Sequence, residues 1–241
     1  MLHVNQLAIA ANNGGTYLLH PLSFTLAQGE IVGVIGESGS GKSLLAHAML
    51  GHAPKGYRLQ GDIQGVGSVA LSAQSASVFD PLKSVRQHLS RWLLRSSCQE
   101  ESTASHHRWS TLGIDPEIAG SYRHQLSGGM GKRACLAQAL VQSTSYILAD
   151  EPCAGLDEVG AQRTYRQLRD KADSEHLGLL IISHNLRQLL TWADRILVLR
   201  HGQLVDVTTP AAIRRGDCAP YSRALWEALP ENWGESHVDA A

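Results

Sequence analysis

The sequence predicts an α/β fold, and three observations predict it. An apolar run, Ile31-Val32-Gly33-Val34-Ile35, leads into a glycine-rich loop and then into Leu44-Leu45-Ala46-His47-Ala48-Met49-Leu50, the order strand, loop, helix. Two further apolar runs, Ile147-Leu148-Ala149 and Leu179-Leu180-Ile181-Ile182, each end abruptly in polar residues. The length, 241 residues, can bury a sizeable core and suits one large α/β domain with a subdomain.

Taken in order, residues 1–35 read as strands. Val4, Leu7 and Ile9 sit near period two, and Leu22, Phe24 and Leu26 alternate with polar residues. Gln28-Gly29-Glu30 is the turn before the strand that feeds the loop. The helix after the loop ends near Gly51, and the polar, glycine-bearing residues 52–67 read as a connector to a short strand, Ser68-Val69-Ala70-Leu71. Val85, Leu89, Trp92 and Leu93 recur at helical spacing, whereas Ser96 to Ser110 reads as a polar loop. Ser127-Gly128-Gly129 caps a helix carrying Ala134, Leu136, Ala137, Ala139 and Leu140. Arg195-Ile196-Leu197-Val198-Leu199 and Gln203-Leu204-Val205-Asp206-Val207 flank His201-Gly202 as a hairpin, and a last helix begins near Pro220.

Composition narrows the function. Lys plus Arg total 21 against 22 for Asp plus Glu, so no global basic field recruits nucleic acid. No apolar run reaches the ~18 residues of a membrane span, and Met1-Leu2-His3-Val4-Asn5 lacks the charged-then-apolar pattern of a signal peptide, so a cytosolic chain is expected. Cys98, Cys135, Cys153 and Cys218 form no C-x-x-C pair and read as reduced thiols. The 12 histidines are dispersed apart from His106-His107, which gives no pattern for a dedicated metal site.

The chemistry begins at Gly36-Glu37-Ser38-Gly39-Ser40-Gly41-Lys42-Ser43, which fits G-x-x-x-x-G-K-[ST] at every fixed position. Glycines let backbone N–H groups turn inward around phosphate oxygens, and the helix N-terminus adds its positive end. Lys42 can reach the β- and γ-phosphates, and the Ser43 hydroxyl can coordinate Mg²⁺. The expected ligands are ATP and Mg²⁺.

Five more stretches follow in a set order: Gln74 after an apolar segment, Leu126-Ser127-Gly128-Gly129-Met130, Asp150-Glu151 ending a strand, Ala154-Gly155-Leu156-Asp157, and Ser183-His184 ending another. With the glycine loop they resemble the six motifs of the ABC (ATP-binding-cassette) ATPase family: Walker A, Q-loop, signature, Walker B, D-loop and H-switch. The resemblance spans most of the chain. It implies a P-loop NTPase of the ABC ATPase fold over 1–241, with a RecA-like core and an N-terminal antiparallel β-subdomain. An inserted helical subdomain is expected at about 76–143 and a family tail at about 209–241.

The resemblance also assigns roles. Glu151 would polarise the attacking water, with His184 at the γ-phosphate and Gln74 as its sensor. Asp150, Ser43 and Gln74 would hold Mg²⁺. Ser127, Gly128 and Gly129 would meet the ATP held by a partner's Walker A loop, and Asp157 would belong to the D-loop. Adenine usually stacks on an early aromatic residue. Tyr17 is the nearest candidate, with a structural role in its strand as the alternative, and the aligned position lies nearer Asn13. Three departures stand out: Met130 for glutamine, Gly131-Lys132 for Arg-Gln, and Asn185 for aspartate. Phe79-Asp80-Pro81-Leu82 would line the groove that receives a permease's coupling helix.

Pro220-Tyr221-Ser222-Arg223-Ala224-Leu225 is similar to the H-P-Y-T-R-A-L tail of the dipeptide, oligopeptide and nickel importer ATPases, with Ala219 replacing histidine and an overall size nearer the nickel type. The chain is therefore expected to be an importer ATPase for a peptide, nickel or metal-chelate substrate. Its expected partners are a second, non-identical ABC ATPase, two transmembrane permease subunits and, indirectly, a solute-binding protein. Nucleic acid is not among them, and the expected place is the cytoplasmic face of the cell membrane. Two rivals remain. A soluble ABC ATPase serving a non-transport complex would not co-purify with membranes, and a repair- or translation-type ATPase would give a salt-sensitive DNA shift.

Overall fold

The near-alternation of the first strand slips phase between Val4 and Leu7, and the backbone shows why. Gln6 has a φ of 50°, and the pairing register shifts on both sides of it. This is a β-bulge, which re-aims the apolar residues so that Leu2, Val4, Leu7 and Ile9 are all buried. Its backbone fits against Gly61, where a Cβ would come within 2.2 Å of the Gln6 carbonyl oxygen. The computed structural model describes residues 1–65, 67–93, 109, 112–142 and 144–229. The chain divides into two units, one of Met1–Leu26, Glu30–Gly65 and Ile182–Ala241, the other of Ala27–Gly29 and Val66–Ile181.

The first unit holds a three-stranded antiparallel sheet, β2 (Tyr17–Leu26), β1 (Leu2–Ala11) and β4 (Tyr57–Gly65), in that order. β4 corrects the reading of residues 52–67 as a connector. Its residues are half-buried or exposed and include Gly61 and Gly65, so it carries no apolar alternation and owes its strand to pairing with β1. The unit also contains β3 (Ile31–Ile35), parallel to β8 (Arg195–Arg200), which pairs antiparallel with β9 (Gln203–Thr208). His201 and Gly202, with φ of 49° and 74°, make the expected hairpin turn. Its helices are α1 (Lys42–Met49), α6 (Leu186–Trp192), α7 (Pro210–Arg215) and α8 (Pro220–Glu227).

The second unit has a sheet of β5 (Val69–Ser72), β6 (Tyr146–Asp150) and β7 (Gly178–Ile182), with β6 in the middle and parallel to β5. Every residue of β6 and β7 is buried, as expected of a strand covered on both faces. Around it run α2 (Val85–Leu93), α3 (Pro116–Gly120), α4 (Gly128–Leu140) and α5 (Glu158–Glu175). α5 buries Ala161, Thr164, Tyr165, Leu168 and Ala172, the three-and-four spacing of one helix face.

Val85 and Leu89 are buried as their spacing predicts. Phe79 is not the groove residue expected. It is 2% exposed and meets the His88 ring edge-on at 5.0 Å, whereas Leu82, three residues on, is 84% exposed. A short 3₁₀ turn at Ala76–Val78 points the ring inward. The loop read from Ser96 to Ser110, with His106-His107 and Cys98, lies outside the described residues except for Trp109, and so do the side chains of Trp92 and Leu93 and the tail from Pro230 on.

Candidate functional site

In the first unit, the loop begins from an anchored strand. The Asp194 carboxylate accepts from the Ile31 N–H at 2.8 Å, and the Asp194 N–H donates back to the Ile31 carbonyl at 2.8 Å. Next to it, Arg195 donates to both carboxylate oxygens of Glu30 and to the Thr25 carbonyl, and the Glu30 contact raises the Arg195 pKa further. The parallel register from Val32 opposite Arg195 to Ile35 opposite Val198 then delivers the loop at the carboxyl end of β3.

The loop fits too closely for any other residue at Gly36. A Cβ there would lie 2.1 Å from the Leu199 carbonyl oxygen. The Ser40 N–H donates to the Glu37 carbonyl at 3.1 Å and the Gly202 N–H donates to Ser40's at 2.9 Å, which closes the turn. Ser40 Oγ is buried with no hydrogen-bond partner. Gly41, at a φ of 102°, precedes α1 and has no side chain to cap it, so no N-cap side chain occupies the first-turn N–H groups. Lys42 Nζ donates to the carbonyls of Gly36 at 2.8 Å and Glu37 at 2.9 Å, and Ser43 lies half-buried in the first turn.

Ser183 leaves β7 with its N–H on the Val34 carbonyl at 3.1 Å, so His184 emerges beside the end of β3 and is exposed. Asn185 accepts from the Gln188 N–H at 3.2 Å and so caps α6. Asparagine and aspartate cap about equally well, so this departure preserves the helix start. Tyr17 is 38% exposed, pairs with Ala10, and its ring lies 5.2 Å from that of His20.

In the second unit, β6 ends at Asp150, which is 6% exposed and whose Oδ1 has no hydrogen-bond partner. An orphaned buried carboxylate oxygen is costly, and a cation or a cation-bound water satisfies it. Glu151 follows at a φ of 52°, a left-handed conformation rare outside glycine, and stays half-buried at the strand end. Because Ser72 pairs with Ala149, Gln74 leaves the same edge as Asp150, and it is exposed.

Ser127 caps α4 by accepting from the Met130 N–H at 3.3 Å. Gly129 admits Leu156, whose Cδ2 would lie 3.1 Å from a Cβ there. Asp157 caps α5, its Oδ1 accepting from the Gly160 N–H at 2.8 Å. Gly131 has a packing reason as well: a Cβ would approach that of Ala76 to 3.1 Å. The contacts that sequence reasoning missed are those of Tyr221, Arg200 and Asp206. The tail motif marked Tyr221, but nothing local tied it to Glu37.

A strand-anchored phosphate loop in one unit, and a buried aspartate followed by a glutamate in the other, define a P-loop nucleotide hydrolase. The family model described as ABC transporter matches residues 19–154, and the chain belongs to that family of ATP-binding, ATP-hydrolysing cassettes. The Dipeptide transport ATP-binding protein DppD of Haemophilus influenzae is 31% identical over 234 residues, covering 87% of this chain and 71% of that protein. The Metal-staphylopine import system ATP-binding protein CntD of Staphylococcus aureus is 29% identical over 236 residues, covering 88% and 87%. The fold matches that of the ATP-binding cassette MJ0796, a dimer in a post-hydrolysis state with ADP and Pi, at a TM-score of 0.73 and 18% identity over 87% of this chain and 99% of that one. No helix among the described residues is long and apolar enough to cross a membrane.

Proposed function

We propose that the chain is the ATP-hydrolysing subunit of an importer, binding at the cytoplasmic face of the membrane and working with two permease subunits and a second, non-identical ATPase. The observation that carries this reading is the similarity to DppD and CntD over most of the chain, supported by the Pro220-Tyr221-Ser222-Arg223-Ala224-Leu225 tail. Those relatives are named for dipeptide and metal-staphylopine transport, so the substrate class proposed is a small peptide or a metal chelate.

Each unit has its part in the chemistry. In the first, loop and helix N–H groups with Lys42 would bind the phosphates, and His184 would hold the γ-phosphate end. In the second, Glu151 would take up the proton of the attacking water, and Gln74 would sense the phosphate. Asp150, with its unpartnered Oδ1, fits an Mg²⁺ site, and Ser43 and Gln74 are its other proposed oxygens. Mg²⁺ would neutralise charge on the phosphate oxygens as the bond to the leaving group breaks. Ser127, Gly128 and Gly129 would serve ATP bound by the partner, and Asp157 would hold the D-loop by capping α5. Tyr17 is the proposed adenine contact. The domain proposed is one ABC ATPase domain over 1–241.

Affinity purification of the tagged chain from detergent-solubilised membranes should recover permease subunits and a second ATPase, and the reconstituted assembly should couple ATP use to peptide or metal-chelate uptake. Recovery only from the soluble fraction, in a complex without membrane subunits, would overturn the importer reading.

A further inference from the structure

The tail helix α8 is tied down at its N-terminus by a carboxylate from β9. Asp206 Oδ2 accepts from the Ala219 N–H at 2.9 Å and from the Ser222 hydroxyl at 2.6 Å. Ala219 has no side chain able to cap, so Asp206 takes that role from outside, and Ser222 is 1% exposed as a result. Pro220 fixes the first helical position. The next residue, Tyr221, donates its hydroxyl to Glu37 Oε1 at 3.0 Å, and the Arg200 guanidinium lies 4.7 Å from its ring centroid. Arg200 follows Leu199, whose carbonyl walls the loop at Gly36. The backbone carbonyl of Glu37 is one of the two that hold Lys42 Nζ.

The tail, the hairpin and the phosphate loop thus meet at the loop's second residue. We infer that Tyr221 is a positioning residue for nucleotide binding: its hydroxyl, aimed by Asp206 and Arg200, holds Glu37 so that the loop keeps its phosphate-ready shape. Burial, followed by the Glu37 contact, pushes the phenol's pKa up. The inference rests on the phosphate loop being the nucleotide site.

The test is a titration of the full chain with ATP and Mg²⁺. Tyr221→Phe keeps the ring under Arg200 and removes only the donor, and it should weaken binding about three- to tenfold. In the assembled ATPase the effect should fall on KM and leave kcat unchanged, because the loop's shape serves ground and transition states alike. Glu37→Ala should lose as much, and the double variant no more than either. Unchanged affinity in Tyr221→Phe, or losses that add in the double variant, would overturn the proposal. Lys42→Ala separates the two readings. If it loses affinity while Tyr221→Phe does not, only the tail's role falls. If it binds normally, the loop reading fails and takes the proposal with it.

Discussion

Gly131 in α4 and Ala76 in the 3₁₀ turn at Ala76–Val78 are in such close contact that a Cβ at residue 131 would stand 3.1 Å from that of Ala76. In a helix interior glycine is worse than alanine by about 1 kcal/mol, and here the close approach offsets that loss. Gly131→Val should therefore destabilise the chain by about 1–3 kcal/mol, seen as a lower urea midpoint at unchanged slope. A midpoint at or above that of the natural chain would mean that the contact gives way freely.

The proposed chemistry divides between two side chains. Glu151→Gln should keep nucleotide affinity and lower turnover at least ~100-fold, as expected for the loss of a general base. Lys42→Ala should instead weaken binding itself, because it removes a charge-assisted contact to phosphate. Near-normal turnover in Glu151→Gln would end its assignment as the base.

Phe79 and Leu82 should now behave differently. Phe79→Ala should destabilise the chain by about 3–5 kcal/mol, since it empties a buried site. Leu82→Arg should leave stability within about 0.5 kcal/mol and basal hydrolysis intact, yet uncouple uptake in the assembled importer. Unimpaired uptake would remove Leu82 from the permease contact.

Burial pushes the Cys135 thiol up to about 11. Burial, followed by the nearby Glu151 charge, pushes Cys153 up to about 12. A raised thiol pKa means less thiolate at a given pH, so alkylation of the folded chain at pH 8 should spare both residues and label them only after unfolding in urea, as read by peptide mass mapping. Labelling of folded Cys153 at the rate of a free thiol would contradict its raised pKa.

For the partner, the purified chain should be mostly monomeric and hydrolyse ATP poorly, with a rate well above the sum of the parts once the second ATPase and permease are added. Ser127→Arg should abolish hydrolysis at the partner's Walker A site while ATP binding at Lys42 persists. A stable, fully active homodimer would rule out the obligate heteromer.

Much of this was legible in the sequence because backbone geometry dictates it. The glycines at 36, 39 and 41 carry positive φ, and Ser127 caps its helix as its local sequence predicts. β4 was not legible, because a strand whose side chains are mostly outside the core has no periodicity to display. Phe79 announced its apolarity but not its direction, which the 3₁₀ turn decides. The bond between Tyr221 and Glu37 spans 184 positions, beyond the reach of any local pattern.

The two carbonyls that hold Lys42 have a consequence for which anions the loop admits. Two of its three ammonium donors already go to its own backbone, so a phosphate arriving at the proposed site would compete with those carbonyls for them. Chloride or acetate, each offering one weak or short-reaching contact, recovers little from that exchange. A polyphosphate at the proposed site would meet the lysine and the row of N–H groups together, and so would gain more than a small anion does.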